Sequence, residues 1–110
     1  MRGRPKKYRL VRHDPRTSLF SPRGRPGRPD EAILSVDCFE AIHLADFMGQ
    51  NQKKAAESMR ISQQTFSRIL RKAHRVIADA LVKGKTIKIQ GGPYVLTSRE
   101  TSELKPPNPQ

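Results

Sequence analysis

Residues 52–81 read QKKAAESMRISQQTFSRILRKAHRVIADAL, and their spacing decides the fold. Ala55, Ala56 and Met59 make one short apolar stripe, and Ile61 follows at once. After Ser62 a second stripe begins, formed by Phe66, Ile69, Leu70, Ala73, Val76, Ile77, Ala80 and Leu81. It advances by three or four residues at each step, the period of a helix rather than of a strand. Ser62 is placed to accept a free backbone N–H of the first turn, as an N-cap does. The connection left between the two stripes is Arg60 to Ser62, so the pattern predicts a helix-turn-helix.

The opposite face of the second helix carries Gln63, Gln64, Ser67, Arg68, Arg71, Lys72 and Arg75, with no acid from Gln63 to Arg75. A solvated helix face ordinarily mixes signs. Gln can bond an adenine edge in two places and Arg a guanine edge. In this motif the N-terminal part of the second helix meets the bases. Gln63, Gln64, Ser67 and Arg68 are therefore the expected base contacts. Lys53 and Lys54 on the preceding helix, with Arg71, Lys72 and Arg75, are the expected phosphate contacts.

Charge follows the same division. The chain of 110 residues has 22 Lys and Arg against 10 Asp and Glu, a formal net charge of +12. Residues 1–30 hold ten basic and two acidic residues, and residues 53–88 repeat those numbers. Between them, residues 31–52 hold four acids and no base. Two basic zones flanking an acidic one suit a polyanionic partner, because phosphate contacts release condensed counterions.

Working outward, a first helix is expected from about Cys38 to Met48, capped by Asp37 and ended by Gly49. Its inward residues are Phe39, Ile42, Leu44 and Ala45, and the aromatic core is expected from Phe39, Phe47 and Phe66. Asp37, Glu40 and Asp46 read as a cap and a solvated face. The third helix is expected to stop at Gly84. Beyond it Thr86 to Ile89 alternates like a strand, and Gly91-Gly92-Pro93 turns the chain before Tyr94-Val95-Leu96. That segment can form a hairpin, or a single strand pairing with Tyr8 to Val11. Ala32 to Val36 is a brief apolar segment.

The expected fold is mainly α: a three-helix helix-turn-helix domain over residues 31–96, with short C-terminal strands. It is preceded by a basic, Pro- and Arg-rich arm over residues 1–30, mostly extended or irregular. Residues 97–110, with three Pro in the last five positions, read as a disordered tail. Removing residues 1–12 is expected to leave the helical domain folded, unless Tyr8, Leu10 and Val11 supply a pairing strand.

Several segments resemble one family of small bacterial and archaeal proteins. They are Cys38-Phe39-Glu40-Ala41-Ile42-His43-Leu44-Ala45-Asp46, Lys54-Ala55-Ala56-Glu57-Ser58-Met59, and Ile61-Ser62-Gln63-Gln64-Thr65-Phe66. Ala78 to Lys85, Ile89-Gln90-Gly91-Gly92, and Phe20, Pro22, Gly24 and Pro26 fit as well. The family is catalogued as domain of unknown function 134, whose members are described only as predicted DNA-binding proteins. The helical part also resembles region four of bacterial sigma factors, which implies a promoter-reading helix-turn-helix. Some members carry paired cysteines in the arm, where this chain reads Val11-Arg12-His13-Asp14-Pro15, so the resemblance implies no metal here. The turn position often held by Gly is Arg60.

Two arm segments, Arg2-Gly3-Arg4-Pro5-Lys6-Lys7 and Pro22-Arg23-Gly24-Arg25-Pro26, resemble AT-hook cores. An extended Arg-Gly-Arg fits a narrow minor groove, so Arg2, Arg4, Arg23 and Arg25 are candidate minor-groove contacts. His13, His43 and His74 stand far apart in sequence and read as lone histidines with no metal spacing. Gly91-Gly92-Pro93 lacks the Lys-Ser/Thr of a phosphate-binding loop. No catalytic constellation or cofactor motif is present, so no enzyme is expected. One cysteine, Cys38, suits a reducing cytoplasm. It is expected to be buried and inert, although a helix start could lower a thiol pKa.

The expected function is sequence-specific binding of double-stranded DNA by a transcriptional regulator located with the nucleoid in the cytoplasm. The third helix would lie in the major groove, and a homodimer is one expected form. The alternative is a protein-interaction module that docks on transcription machinery such as RNA polymerase. The first predicts an exposed polar face on the third helix, contiguous with the arm. The second predicts an exposed apolar patch at Phe47-Met48 or Tyr94-Val95-Leu96. RNA binding is weaker, since surface aromatics for base stacking are scarce. No membrane association is expected.

Overall fold

The computed structural model describes residues 8–24 and 26–97. Strands β1 (Arg9–Val11), β2 (Leu19–Phe20) and β3 (Glu31–Leu34) come first. Helices α1 (Val36–Ile42, continued as a π turn over His43–Phe47), α2 (Gln52–Met59) and α3 (Gln63–Lys83) follow, then β4 (Thr86–Ile89) and β5 (Tyr94–Leu96). The fold is therefore mixed rather than mainly α. The additional sheet is built from segments too short and too far apart in the chain to announce their pairing.

The connection of α2 to α3 is set by local chemistry. Asn51 Oδ1 accepts the Lys54 N–H at 2.8 Å, capping α2. Arg60 adopts the left-handed conformation, φ 58° and ψ 45°. Its N–H reaches the Glu57 carbonyl, and the Ile61 N–H reaches that of Ala56, both at 3.1 Å. This is the Schellman closure that glycine usually makes. Ser62 then caps α3 as expected, its Oγ accepting the Thr65 N–H at 3.0 Å. At the far end Gly84, also left-handed, lets Lys85 N–H close on the Ala80 carbonyl at 2.8 Å.

Helix α1 begins two residues earlier than the sequence predicts. Ser35, not Asp37, sits at its N-cap, and Asp37 lies in the first turn. The last turn widens, with Met48 N–H bonding the His43 carbonyl five residues back. Each residue of a wider turn advances through a smaller angle, so Phe47 is carried away from the face of buried Leu44. Phe47 is 80% exposed and is no part of the core, contrary to expectation. Leu81 is exposed as well, although its neighbour Ala80 is buried.

Two small sheets close around the helices. In one, β3 runs parallel to β4 with Glu31 opposite Thr86 and Leu34 opposite Ile89, while β2 pairs antiparallel to the other side of β4. The three helices thus form the crossover of a parallel pair. Ala32 and Leu34 point inward and Glu31 and Ile33 outward, the alternation of a half-buried strand. In the other, β1 runs parallel to β5, with Arg9 opposite Tyr94 and Val11 opposite Leu96. Of the two arrangements open to the C-terminal segment, pairing with Tyr8 to Val11 is the one adopted. The core joins Phe66, Ile69, Leu70 and Ala73 of α3 to Ala55, Ala56 and Met59 of α2. Cys38, Ala41, Leu44, Leu34, Ile89 and Val11 complete it. Val11 is fully buried, so the base of the N-terminal stretch is part of the core.

Candidate nucleic-acid interface

The polar face of α3 stands free. Gln63, Gln64, Arg68, Arg71, Lys72 and Arg75 are exposed, and Ser67 is half-buried. Arg71 Nη2 donates to Ser67 Oγ at 3.5 Å, one turn away. Lys53 and Lys54 are exposed on α2. Among the described residues, none of these lysines and arginines is held in an ion pair. By contrast, Asp79 farther along α3 takes both Lys83 at 3.3 Å and Lys85 at 2.7 Å. Those two bonds draw its carboxyl below the usual value, Lys85 contributing first.

The base of the basic stretch is tied to the helices by a group that the sequence reading assigns to solvent. Glu40 is fully buried. Its carboxylate accepts the backbone N–H groups of Arg12 and His13, both at 3.3 Å, and lies 3.0 Å from His13 Nδ1. Asp37 is also buried and faces Arg9, with Nε to Oδ2 at 3.5 Å. A buried carboxylate needs partners, and here the incoming chain supplies them. The acids at 37 and 40 lie on the inward face among Val36, Cys38 and Ala41, which was the signal in the sequence. Arg12 Nε donates to Ser58 Oγ at 3.0 Å, adding α2 to the attachment.

The histidines are not solitary. His13 and His43 stack with ring centroids 3.8 Å apart, and Phe39 and Phe47 meet His43 edge-on. Burial lowers the His43 pKa below its ordinary value, with the neighbouring His13 adding to the effect. His74 Nε2 lies 2.6 Å from Asp46 Oδ2. No group of three metal-ligating side chains occurs among the described residues. Cys38 is buried against the Ile69 carbonyl, and burial raises its thiol pKa rather than lowering it.

Of the candidate minor-groove residues, Arg23 is exposed, while Arg2, Arg4 and Arg25 lie outside the described residues. Gly24 has φ 75°, so the chain bends there where a straight Arg-Gly-Arg was expected. Of the assigned base-contact and phosphate-contact residues, Arg68 and Lys72 line one cleft. Arg9 of β1 shares a cleft with Thr65, Arg68 and Lys72 of α3. The basic stretch therefore meets the polar face of α3 in its N-terminal half.

The family model described as "Protein of unknown function DUF134" matches residues 1–97. This chain belongs to that family. It is similar to a UPF0251 protein of Prosthecochloris aestuarii, 44% identical over 105 residues that cover 94% of this chain and 68% of the relative. A UPF0251 protein of Thermoanaerobacter pseudethanolicus is 47% identical over 92 residues, covering 83% and 78%. One from Methanococcus maripaludis is 43% identical over 94 residues, covering 84% and 72%. No solved structure matches the chain. Among the described residues, no helix is long and apolar enough to cross a membrane.

Proposed function

We propose that this DUF134 member is a non-enzymatic transcriptional regulator that binds double-stranded DNA sequence-specifically. The α2–α3 pair acts as a sigma region four-like helix-turn-helix, with α3 in the major groove. One observation carries this reading: the acid-free face from Gln63 to Arg75 is exposed, its cations form no ion pair among the described residues, and it adjoins Arg9. A run of exposed cations without acidic neighbours raises the local potential where phosphates approach. Residues 1–7, which precede Tyr8 and Arg9 in the chain, include Arg2, Arg4, Lys6 and Lys7. The protein is assigned to the cytoplasm, with the nucleoid.

Duplex binding measured across a salt series tests the proposal. Each phosphate contact should contribute a slope of about −0.9 in log K against log salt, so several contacts give a steep line. A slope near zero, or no complex at low salt, removes the DNA reading. If a selected site proves palindromic, two copies of the chain should occupy it.

A second reading, docking on transcription machinery such as RNA polymerase, is favoured by the exposure of Phe47 and Met48 at 80% and 49%. Large apolar side chains left side by side at the surface are a feature of interaction sites. If that surface is the functional one, Phe47→Ser abolishes polymerase association and leaves duplex affinity intact.

A further inference from the structure

The cleft that joins β1 to α3 holds about 230 Å³, with Arg9, Asp37, Thr65, Arg68, Lys72 and Gly92 on its walls. That is below the size of a pocket for a drug-sized ligand, about 300 Å³ or more, but ample for a small anion. Its charges are unequal: three cations face one carboxylate, an excess of two positive charges. Asp37 is already engaged by Arg9 at 3.5 Å and by Ser35 Oγ at 2.5 Å. Arg68 and Lys72 stand four residues apart on α3 and are both exposed. Ser62 donates to Thr65 Oγ1 at 2.9 Å, which leaves the Thr65 hydroxyl proton for another acceptor.

The turn that forms the remaining wall is fitted closely. Gly92 has φ 99°, and a Cβ there would fall 2.8 Å from Asp37 Oδ1 and 2.9 Å from the Ser35 Cβ. Only glycine lets the turn come this near to α1. Val36 N–H bonds the Gly91 carbonyl at 2.9 Å, and Arg9 N–H bonds that of Pro93 at 3.1 Å, holding the wall in place.

We infer that this cleft is a phosphate-binding site, seating one phosphate group against Arg9 and Lys72 with the Thr65 hydroxyl as a neutral donor, while Arg68 adds positive potential from the wall and keeps its head group for a base edge. The group comes either from a DNA backbone or from a free phosphate compound. Only the first source rests on the DNA reading above. Guanidinium and ammonium groups lining one small cleft favour a dianion or an ester oxygen pair. Asp37 limits the affinity, so the site is tuned to release as well as to bind.

The test is a titration of the full chain with inorganic phosphate, followed by amide NMR at constant ionic strength set with chloride. Saturable shifts confined to Thr65, Arg68, Ile69, Lys72 and Gly92 are expected. Lys72→Met should weaken phosphate several-fold, and Lys83→Met, at the other end of α3, should not. Asp37→Asn should tighten it on the order of threefold to tenfold, the effect of removing one nearby like charge. If Asp37→Asn does not fold, the contrast between the two lysine variants decides. Shifts that never saturate, or an equal response to Lys72→Met and Lys83→Met, overturn the site. Adding a DNA duplex to the phosphate-loaded protein identifies the source. Displacement of phosphate assigns the site to the DNA backbone, and retention on the complex assigns it to a free phosphate compound. Phosphate binding in a protein that binds no duplex leaves the cleft standing and the DNA reading lost.

Discussion

Gln64 and Arg68 lie four residues apart on the outward side of α3, and both are exposed. Side chains at that spacing stand one above the other, so both can address one edge of a groove. Gln64→Ala and Arg68→Ala should therefore relax base preference, each by about 1–3 kcal/mol at its own base pair. Lys53 and Lys54 lie in the first turn of α2 and are exposed, and in the proposed binding mode that helix crosses the DNA backbone. Lys53→Ala and Lys54→Ala should weaken all sequences alike and lower the salt slope by about one unit each. Binding to a selected site and to its single-base variants separates the two outcomes. A uniform loss in the Gln64 and Arg68 variants would show that α3 is not the reader. Arg60 offers a stability prediction at the same scale. Its left-handed conformation costs an L-residue roughly 1–2 kcal/mol, partly offset by the greater unfolded-chain freedom of glycine. Arg60→Gly should raise stability by about 0.5–1 kcal/mol in urea unfolding.

Among the elements, α1 with its π turn holds the incoming chain through Asp37 and Glu40, and it carries a histidine whose burial couples it to pH. The His43 pKa is lowered by burial and then by His13 from an ordinary value of 6.5. The unfolded chain thus takes up a proton on His43 at a higher pH than the folded one. Its contribution is fully present above 6.5 and is lost as pH falls toward the folded pKa. Melting temperatures between pH 7 and pH 5 should fall more for the natural chain than for His43→Phe, which keeps a ring and cannot titrate. Parallel curves would remove His43 from the account. Elements also differ in how openly the sequence declared them. The α2–α3 pair was legible because Phe66, Ile69, Leu70 and Ala73 repeat at helical period and Ser62 and Gly84 mark ends chemically. The site face was legible for the same reason, being what the stripe leaves over. The pairing of β3 with β4 was not, since a parallel partner lies across an entire crossover and leaves no local mark. Glu40 was misread because a charge on an amphipathic helix ordinarily faces water, and its partners, Arg12 and His13, come from another part of the chain. The widened turn that expels Phe47 had no visible cause in composition.

For the molecule as a whole, the N-terminal stretch divides at Tyr8. Residues 1–7 carry charge, whereas Val11 is fully buried and Arg9 to Val11 pair with β5. Deleting residues 1–7 should weaken duplex binding and leave the melting temperature unchanged. Deleting residues 1–12 should lower it by several degrees, since β1, the Arg12 attachment to Ser58 and the partners of Glu40 are lost together. A 1–12 deletion that melts with the full chain would mean that β1 contributes nothing to the core.

The pairing of β1 with β5 also fixes when the chain can finish folding. Arg9 meets Tyr94, so synthesis must reach Tyr94 before β1 finds its partner strand. The helices, closed by local bonds, can form while the polypeptide is still leaving the ribosome, but both sheets wait for the final strands. Contacts between distant residues are the slow ones, because loop-closure entropy is lost before they repay it. A nascent chain therefore carries a formed pair of basic helices for some time before it carries a completed domain.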